Sequence, residues 1–180
     1  MGKVLPEIDD ALAAWIRGQR VFFVATAPLA GEGHVNCSPK GGDAFRILGP
    51  REVAYLDYTG SGAETGAHIR ENGRIVVMFC AFEGAPRIVR LHGRGTLIGL
   101  GHPRFTALAA CFPPHPGARA VVHIDVERVS SSCGMSVPFL DFRAPRSELD
   151  AWAEKKGAAG LADYRAQKNH RSVDGLPAFE

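Results

Sequence analysis

The sequence lacks a long apolar run. No stretch reaches the roughly 18 consecutive apolar residues that a transmembrane helix needs, and acidic residues (Glu7, Asp9, Asp10) occupy the region where a signal peptide would be basic. An excess of charge of one sign is also missing, because 21 basic and 19 acidic side chains leave a formal net charge of +2. This mild balance argues against nucleic-acid or membrane-surface binding, which requires a dense basic patch. We therefore expect a cytoplasmic protein with neither partner.

Cysteine is sparse, and its spacing is irregular. The four cysteines form no Cys-x-x-Cys pair and no His/Cys pattern typical of a zinc site. In a reducing compartment they are expected to be free thiols. Cys80 lies within an apolar run, so we predict that it is a small core residue.

Glycine and proline are plentiful, with 21 and 12 of the 180 residues, which is typical of a fold with many turns. Hydrophobic patterning predicts strands over residues 21–27, 34–38, 52–58, 74–82, 87–98 and 118–130. It predicts helices over residues 7–19, 63–72, 103–111 and 147–168. We therefore expect a mainly β fold with flanking helices, an antiparallel barrel of around six strands. Residues 1–180 are predicted to form a single domain with a C-terminal helical extension from about residue 145.

The first candidate site is the segment Ser38–Gly42 (SPKGG), at a predicted strand end. The hydroxyl of Ser38, the ammonium group of Lys40 and two permissive glycines would suit an anion or a carbonyl-rich ring. The alternative is an ordinary polar loop with a solvated lysine.

The second candidate is the glycine-rich turn from Asp57 to Thr65 (DYTGSGAET), between a strand and a helix. Free amides at a helix N-terminus favour phosphate, and Thr59, Ser61 and Thr65 add hydroxyl donors. The segment is neither a Walker loop nor a Rossmann fingerprint. Alternatively, Thr59 or Ser61 simply caps the helix.

Two further groups are weaker candidates. Alternation along the strand after Arg87 places Arg90, His92 and Arg94 on one face, either as a solvated stripe, as a phosphate site or opposite acids of another subunit. Cys133, between Ser132 and Gly134, could be a nucleophile, but no partner base is identifiable and a structural role is commoner.

Taken together and in this order, five segments resemble the FMN-binding split-barrel family that includes pyridoxamine 5'-phosphate oxidase. The segments are VFFVATA, HVNCSPKGG, EVAYLDYTGSGAET, RIVVMFCAF and RIVRLHGRG, which span roughly residues 20 to 100. The later segments SCGMSVPFLDF and DGLP are similar to a narrower subgroup. The resemblance implies a six-stranded Greek-key split barrel and a homodimer with two FMN molecules in clefts between the subunits.

The resemblance also implies roles for particular residues. Lys40 takes the position of a lysine near the flavin, and Thr59 matches a phosphate-binding threonine. The basic stretch that follows in the oxidases is replaced here by Ala63-Glu64-Thr65. The phosphate would then be held by backbone amides with Ser61 and Thr65, or by positive charge from Arg90, Arg94 or Lys40. The remaining alternative is weak or absent flavin binding. The expected cofactor-binding residues are Ser38, Lys40, Thr59, Gly60, Ser61, Gly62, Thr65, Arg90, Arg94 and Cys133.

The oxidases carry a C-terminal Arg-Leu motif that has no clear counterpart here, which argues against true pyridoxamine 5'-phosphate oxidase activity. The resemblance implies an FMN-dependent oxidoreductase acting on an unknown small molecule, with no assignable catalytic residue. The alternatives are a non-catalytic carrier or sensor of flavin, deazaflavin or haem, and a dimeric interaction module with a relic pocket.

Overall fold

A computed structural model describes residues 2–179 of the chain. The strands are β1 (Lys3–Leu5), β2 (Val21–Thr26), β3 (Asn36–Gly41), β4 (Phe45–Gly49), β5 (Glu52–Tyr58), β6 (Arg74–Cys80), β7 (Ile88–Gly99) and β8 (Ala118–Ser132). The helices are α1 (Asp10–Arg17), α2 (Glu64–Asn72), α3 (Phe105–Ala109) and α4 (Glu148–Lys168). No helix in this part of the chain is long and apolar enough to cross a membrane.

The helix ends follow from local chemistry. Helix α1 begins three residues later than the sequence predicts, because the carboxylate of Asp9 accepts the amide of Leu12 (2.7 Å) and caps the helix there. Helix α2 ends at Gly73, whose φ of +70° is the left-handed conformation that favours glycine. In α4, Gly157 (φ +64°) interrupts the helical backbone, as the sequence predicts, whereas the side chain of Ser147 makes no capping bond.

The strands form one antiparallel sheet in the order β3-β2-β6-β7-β8-β5-β4, with β1 paired to β8. The predicted mainly β architecture with flanking helices is confirmed, and the sheet curls into the expected split barrel. The count of six strands is wrong, because the short strands β1 and β4 were not predicted. Strand β4 pairs with β5 over only four residue pairs, and the register shifts within them. A strand this short has too few residues to show a clear alternation of apolar and polar side chains.

The barrel interior holds the main core. Aromatic rings meet there, with Phe22 5.3 Å from Phe45 and 5.7 Å from Tyr55, measured between ring centroids. Helix α1 contributes Leu12 and Ile16 to this core. A second buried cluster lies on the other face of the sheet and includes residues from β5, β7 and β8, with side chains of α3 packed against it.

This second cluster corrects one expectation about β8. The sequence predicts that Arg119, His123, Asp125 and Glu127 lie on a solvated face. Asp125 and Glu127 are exposed, but Arg119 and His123 are only 7% and 5% exposed. His123 is paired with Glu52 (2.6 Å), which satisfies its buried ring nitrogen.

Strand β3 also runs further than predicted. It extends through Gly41 rather than ending at Ser38, so Ser38 and Lys40 are strand residues and not part of a loop. Pro39 is tolerated because β3 is an edge strand, where one backbone edge has no ladder partner. As a result, Lys40 faces the same side as its neighbour Phe22, toward the barrel interior.

The segment after α4 was predicted to lack structure. Instead, residues 169–179 fold back on themselves, with an isolated bridge between Arg171 and Pro177. The backbone amide of Ala178 donates to the carbonyl of His170 (3.0 Å), and that of Phe179 donates to the carbonyl of Asn169 (3.0 Å). We call residues 169–179 the C-terminal hairpin.

Candidate functional site

The candidate site lies at the end of the barrel where β5 leads into α2. Asp57, the last inward-facing residue of β5, is 1% exposed and has a cation on each carboxylate oxygen. Its Oδ1 accepts from Nζ of Lys40 (2.8 Å), and its Oδ2 accepts from Nε of Arg119 (2.7 Å). Three strands that are distant in sequence therefore meet at one buried carboxylate.

The two cations determine the ionisation of Asp57. Burial alone would raise the pKa of this carboxyl group, but Lys40 and Arg119 outweigh that cost and hold its pKa below the ordinary value. The ammonium group of Lys40 also lies 5.3 Å from the centroid of the Tyr55 ring. The carboxylate is thus permanently charged at neutral pH.

A third cation is directed at the same turn. Arg165 of α4 donates to the hydroxyl of Thr59 (3.3 Å), and Arg119 donates to the carbonyl of Gly62 (2.8 Å). Burial and the positive charge of Arg119 both lower the pKa of Arg165. We call Lys40, Arg119 and Arg165 the cation cluster. Lys40 and Arg119 share one carboxylate, Asp57, and Arg165 has no acidic partner among the described residues, so the cluster carries excess positive charge.

The C-terminal hairpin covers the other side of the turn. The side-chain amide of Asn169 donates to the carbonyl of Gly60 (2.8 Å), and the ring of Phe179 lies under the guanidinium of Arg119 at 4.0 Å. The carboxylate of Glu64 accepts the amide of Ala63 (3.0 Å) and, from the hairpin, that of Val173 (3.3 Å). The amide of Ala63, just before α2, therefore has a partner within the chain, whereas no side chain caps the helix.

A buried polar network runs from the turn into the barrel. The amide of Asn36 donates to the hydroxyls of Thr65 (2.9 Å) and Thr26 (3.2 Å), and Thr26 lies 2.9 Å from Nδ1 of His68. The hydroxyl of Tyr55 is buried without a hydrogen-bond partner among the described residues. Burial raises the pKa of Tyr55 well above its ordinary value, so the phenol stays neutral.

Similarity to known proteins identifies the fold family. A family model described as pyridoxamine 5'-phosphate oxidase matches residues 8–133. The chain belongs to this family. A pyridoxamine 5'-phosphate oxidase family protein of Aspergillus flavus, ustO, is 42% identical over 189 residues, which cover 96% of this chain and 76% of that protein.

Solved structures of other proteins share the architecture. HupZ of Group A Streptococcus has a TM-score of 0.53 at 25% identity, over 68% of this chain and 91% of its own. A pyridoxamine 5'-phosphate oxidase-related FMN-binding protein of Nostoc punctiforme has a TM-score of 0.51 at 14% identity, over 71% of this chain and 84% of its own. These similarities support the split-barrel fold.

The structure brings together about half of the residues that the family resemblance implies. Lys40, Thr59, Gly60, Gly62 and Thr65 lie around the turn. The hydroxyl of Ser38 donates to Asn36 Oδ1 (2.9 Å), at the edge of the polar network, and Ser61 is an exposed turn residue.

The other residues expected from the family resemblance have partners elsewhere. Arg90 donates to the hydroxyl of Ser132 (3.2 Å), and Arg94 donates to Glu127 (3.2 Å) and to the carbonyl of Asn72 (2.9 Å). Neither guanidinium is directed at the turn. Cys133 is an exposed residue immediately after β8. Roles for these three residues toward a cofactor stay predictions.

Sequence reasoning missed Arg119, Arg165 and the hairpin residue Asn169. Arg165 is 106 residues from Thr59 in sequence, and Arg119 is 59 residues from Gly60. The sequence did contain one signal for these cations. Asp57 lies within an otherwise largely apolar strand, and a buried carboxylate requires cations nearby. The two cations near the turn that sequence reasoning missed therefore come from β8 and α4.

Proposed function

We propose that this chain is an FMN-binding flavoprotein, with the phosphate of FMN held beside Thr59 by the cation cluster. The observation that carries the proposal is the excess positive charge, since Lys40 and Arg119 share the carboxylate of Asp57, while Arg165, directed at Thr59, has no acidic partner among the described residues. A phosphate monoester with roughly two negative charges would balance such a cluster. The FMN-binding relative from Nostoc punctiforme supports the choice of flavin phosphate.

The exposure of the cluster residues indicates which of them the phosphate can contact. Thr59 is fully buried and Arg119 is 7% exposed, whereas Lys40 and Arg165 are half-buried. In our proposal the phosphate lies against Lys40 and Arg165, and the Asp57–Arg119 pair acts from behind as a fixed scaffold. The carboxylate of Glu64 is held by the amides of Ala63 and Val173 and forms no ion pair with the cation cluster among the described residues.

The proposal includes a homodimer. Four side chains, Phe23, Ala25, Val76 and Met78, form an apolar strip on the outward face of β2 and β6. They are half-buried and belong to none of the three buried clusters of residues 2–179. A second copy covering this outer strip would bury it and place a partner surface beside β3, which carries Lys40.

FMN would supply the hydride chemistry when bound, and the protein would orient it. We propose an oxidoreductase that acts on a small molecule whose identity is open, and we assign no acid or base role to any side chain. Reduction of bound FMN by a nicotinamide nucleotide would support an oxidoreductase. A flavin that stays oxidised with every common reductant would indicate a carrier or sensor instead.

The site assignment is tested by titrating the apoprotein with FMN and following flavin fluorescence. We expect saturation at about one FMN per chain. Binding should weaken by about tenfold or more in Lys40→Ala, which removes a charged contact to the phosphate, and also in Thr59→Ala, which removes the hydroxyl that positions Arg165. Arg146→Ala is the matched control, since Arg146 is 89% exposed and bonds only to Glu148. Unchanged affinity in both test variants would remove these residues from the site.

A further inference from the structure

A separate cleft lies outside the cation cluster, at the end of the barrel where α1 finishes. Its volume is about 720 Å³, within the range of roughly 300–1,000 Å³ that is typical of small-molecule sites. Its walls come from the end of α1, the start of β2, the turn after β6 and residues 140–142. Trp15, Phe82 and Phe142 give it three aromatic surfaces.

The wall formed by residues 140–142 is held in place by two contacts. The amide of Leu140 donates to the carbonyl of Phe82 (3.1 Å), and the guanidinium of Arg20 lies 5.0 Å from the centroid of the Phe142 ring. This segment is otherwise exposed, with Leu140 and Phe142 at 52% and 46%. The cleft therefore lies between the barrel and an extended segment, residues 140–142, that does not pack closely against it.

The charged groups of the cleft are unpaired. Within residues 2–179, neither Arg20 nor the carboxylates of Glu83 and Asp141 has a hydrogen bond or an ion pair, although all three line the cleft. The other charged group near these walls is Arg87, which lies 5.0 Å over the Trp15 ring and donates to Ser131. One free cation and two free carboxylates thus share an aromatic-walled space.

We propose that this cleft binds a zwitterionic aromatic ligand of about dipeptide size. Arg20 would pair with the ligand's carboxylate, Glu83 or Asp141 with its ammonium group, and the aromatic walls with its side chains. A purely anionic or purely cationic ligand would leave charged groups of the cleft uncompensated, and a single amino acid would fill only part of the volume. The proposal does not depend on FMN binding, because none of the cluster residues lines the cleft.

The test uses the intrinsic fluorescence of Trp15. The chain has two tryptophans, so the Trp152→Phe variant leaves Trp15 as the only reporter. Three probes are titrated at pH 7: phenylalanyl-phenylalanine, its N-acetyl form and its C-terminal amide. We expect saturable fluorescence changes with the free dipeptide and weaker binding, by about tenfold, when either end is capped.

A charge-specific comparison separates recognition from general damage. Arg20→Ala, made in the same background, is expected to weaken the free dipeptide about tenfold and to leave the amide form unchanged, because the amide has no carboxylate to lose. Arg17→Ala, an exposed residue of α1 outside the cleft, is the matched control and should bind like the parent.

Three results would overturn the proposal. They are no saturable change with the dipeptide, equal binding of all three probes, and equal effects of Arg20→Ala and Arg17→Ala. The FMN titration is read out by flavin fluorescence, so the two proposals succeed or fail separately.

Discussion

At the scale of single residues, the central feature is a carboxylate buried with its own counterions. A buried charge is tolerated only when it is paired and hydrogen-bonded, and Asp57 meets both conditions through Lys40 and Arg119. The same arrangement orients the two cations toward the turn. Asp57 therefore serves the proposed phosphate site indirectly, by fixing the positions of groups that carry positive charge.

Replacement of Asp57 by Asn should be strongly destabilising. It leaves the buried guanidinium of Arg119 and the half-buried ammonium group of Lys40 without their counterion, which costs about 3 kcal/mol or more of unfolding free energy at pH 7. Because the folded-state pKa of Asp57 is lowered, its stabilising contribution is present above the unfolded pKa of about 3.9 and is lost as pH falls below it. Urea unfolding between pH 7 and pH 3 should show the gap between wild type and Asp57→Asn closing in acid. The control is Asp163→Asn, at an exposed helical position; a gap that is absent at pH 7, or constant with pH, would contradict this account.

Local rules predict some of the site residues and not others. Lys40 and Thr59 follow from the family resemblance because they lie within contiguous motifs. Arg119 and Arg165 could not be predicted, because alternation along β8 favours a solvated position for Arg119, and nothing in the helical sequence of α4 shows that Arg165 reaches back to Thr59. Whether a polar side chain is buried by elements distant in sequence depends on the tertiary structure, and the periodicity of the sequence does not show it.

At the scale of elements, irregularities in the strands have physical causes. The register between β7 and β8 shifts at His92 and Gly93, and a Cβ atom on Gly93 would clash with the backbone carbonyl oxygen of Asp125. The sequence predicts that the missing side chains of Gly93 and Gly95 let another backbone or a flat ring approach, and at Gly93 it is the backbone of β8 that does so. Without a glycine at this position the bulge could not form in its present geometry.

Gly93→Ala is therefore expected to destabilise the barrel by about 1–3 kcal/mol or more, because the contacted atom is backbone and cannot move aside. Gly99→Ala is the matched control on the same strand, since a Cβ there meets nothing within 4 Å. Urea midpoints of the two variants give the comparison. Equal midpoints would show that the close approach at Gly93 is not structurally required.

Predictions of individual strands succeeded or failed according to how regular the strand sequence is. Strands with strong alternation or long apolar runs were predicted to within about two residues, as for β5, β6 and β7. Strands β1 and β4 were missed because they are short and their register depends on neighbours. The C-terminal hairpin was missed because it is stabilised by contacts with the turn and with α2, such as the ring of Phe179 against Gly66, and not by its own periodicity.

At the scale of the whole molecule, the outer strip of β2 and β6 implies a partner. Met78→Glu places a charge at the centre of the strip and should dissociate the proposed homodimer, because a carboxylate is costly to bury without a counterion. Light scattering coupled to gel filtration measures the mass. Leu29→Glu, at an exposed position away from the strip, should leave the mass unchanged. A wild-type monomer, or a dimer unaffected by Met78→Glu, would reject this interface.

The fold class could be predicted because the sequence itself shows the order of the strands and the short spacing between them that is typical of hairpins. The assembly and the cofactor depend on surfaces and charges that only the folded chain brings together, and they remain proposals. The assignment of residues 1–180 to a single domain with a helical extension from about residue 145 likewise stays a prediction. Contacts from Arg165 and Asn169 to the turn nevertheless tie that extension to the barrel.

The most direct test of the central claim is a comparison of FMN with riboflavin, which lacks the phosphate, in wild type and Arg165→Gln. If the cation cluster holds the phosphate, wild type should bind FMN more tightly than riboflavin by about tenfold or more, and Arg165→Gln should reduce that preference while leaving riboflavin affinity unchanged. Equal affinities of wild type for the two flavins, or a preference that Arg165→Gln does not alter, would contradict the account.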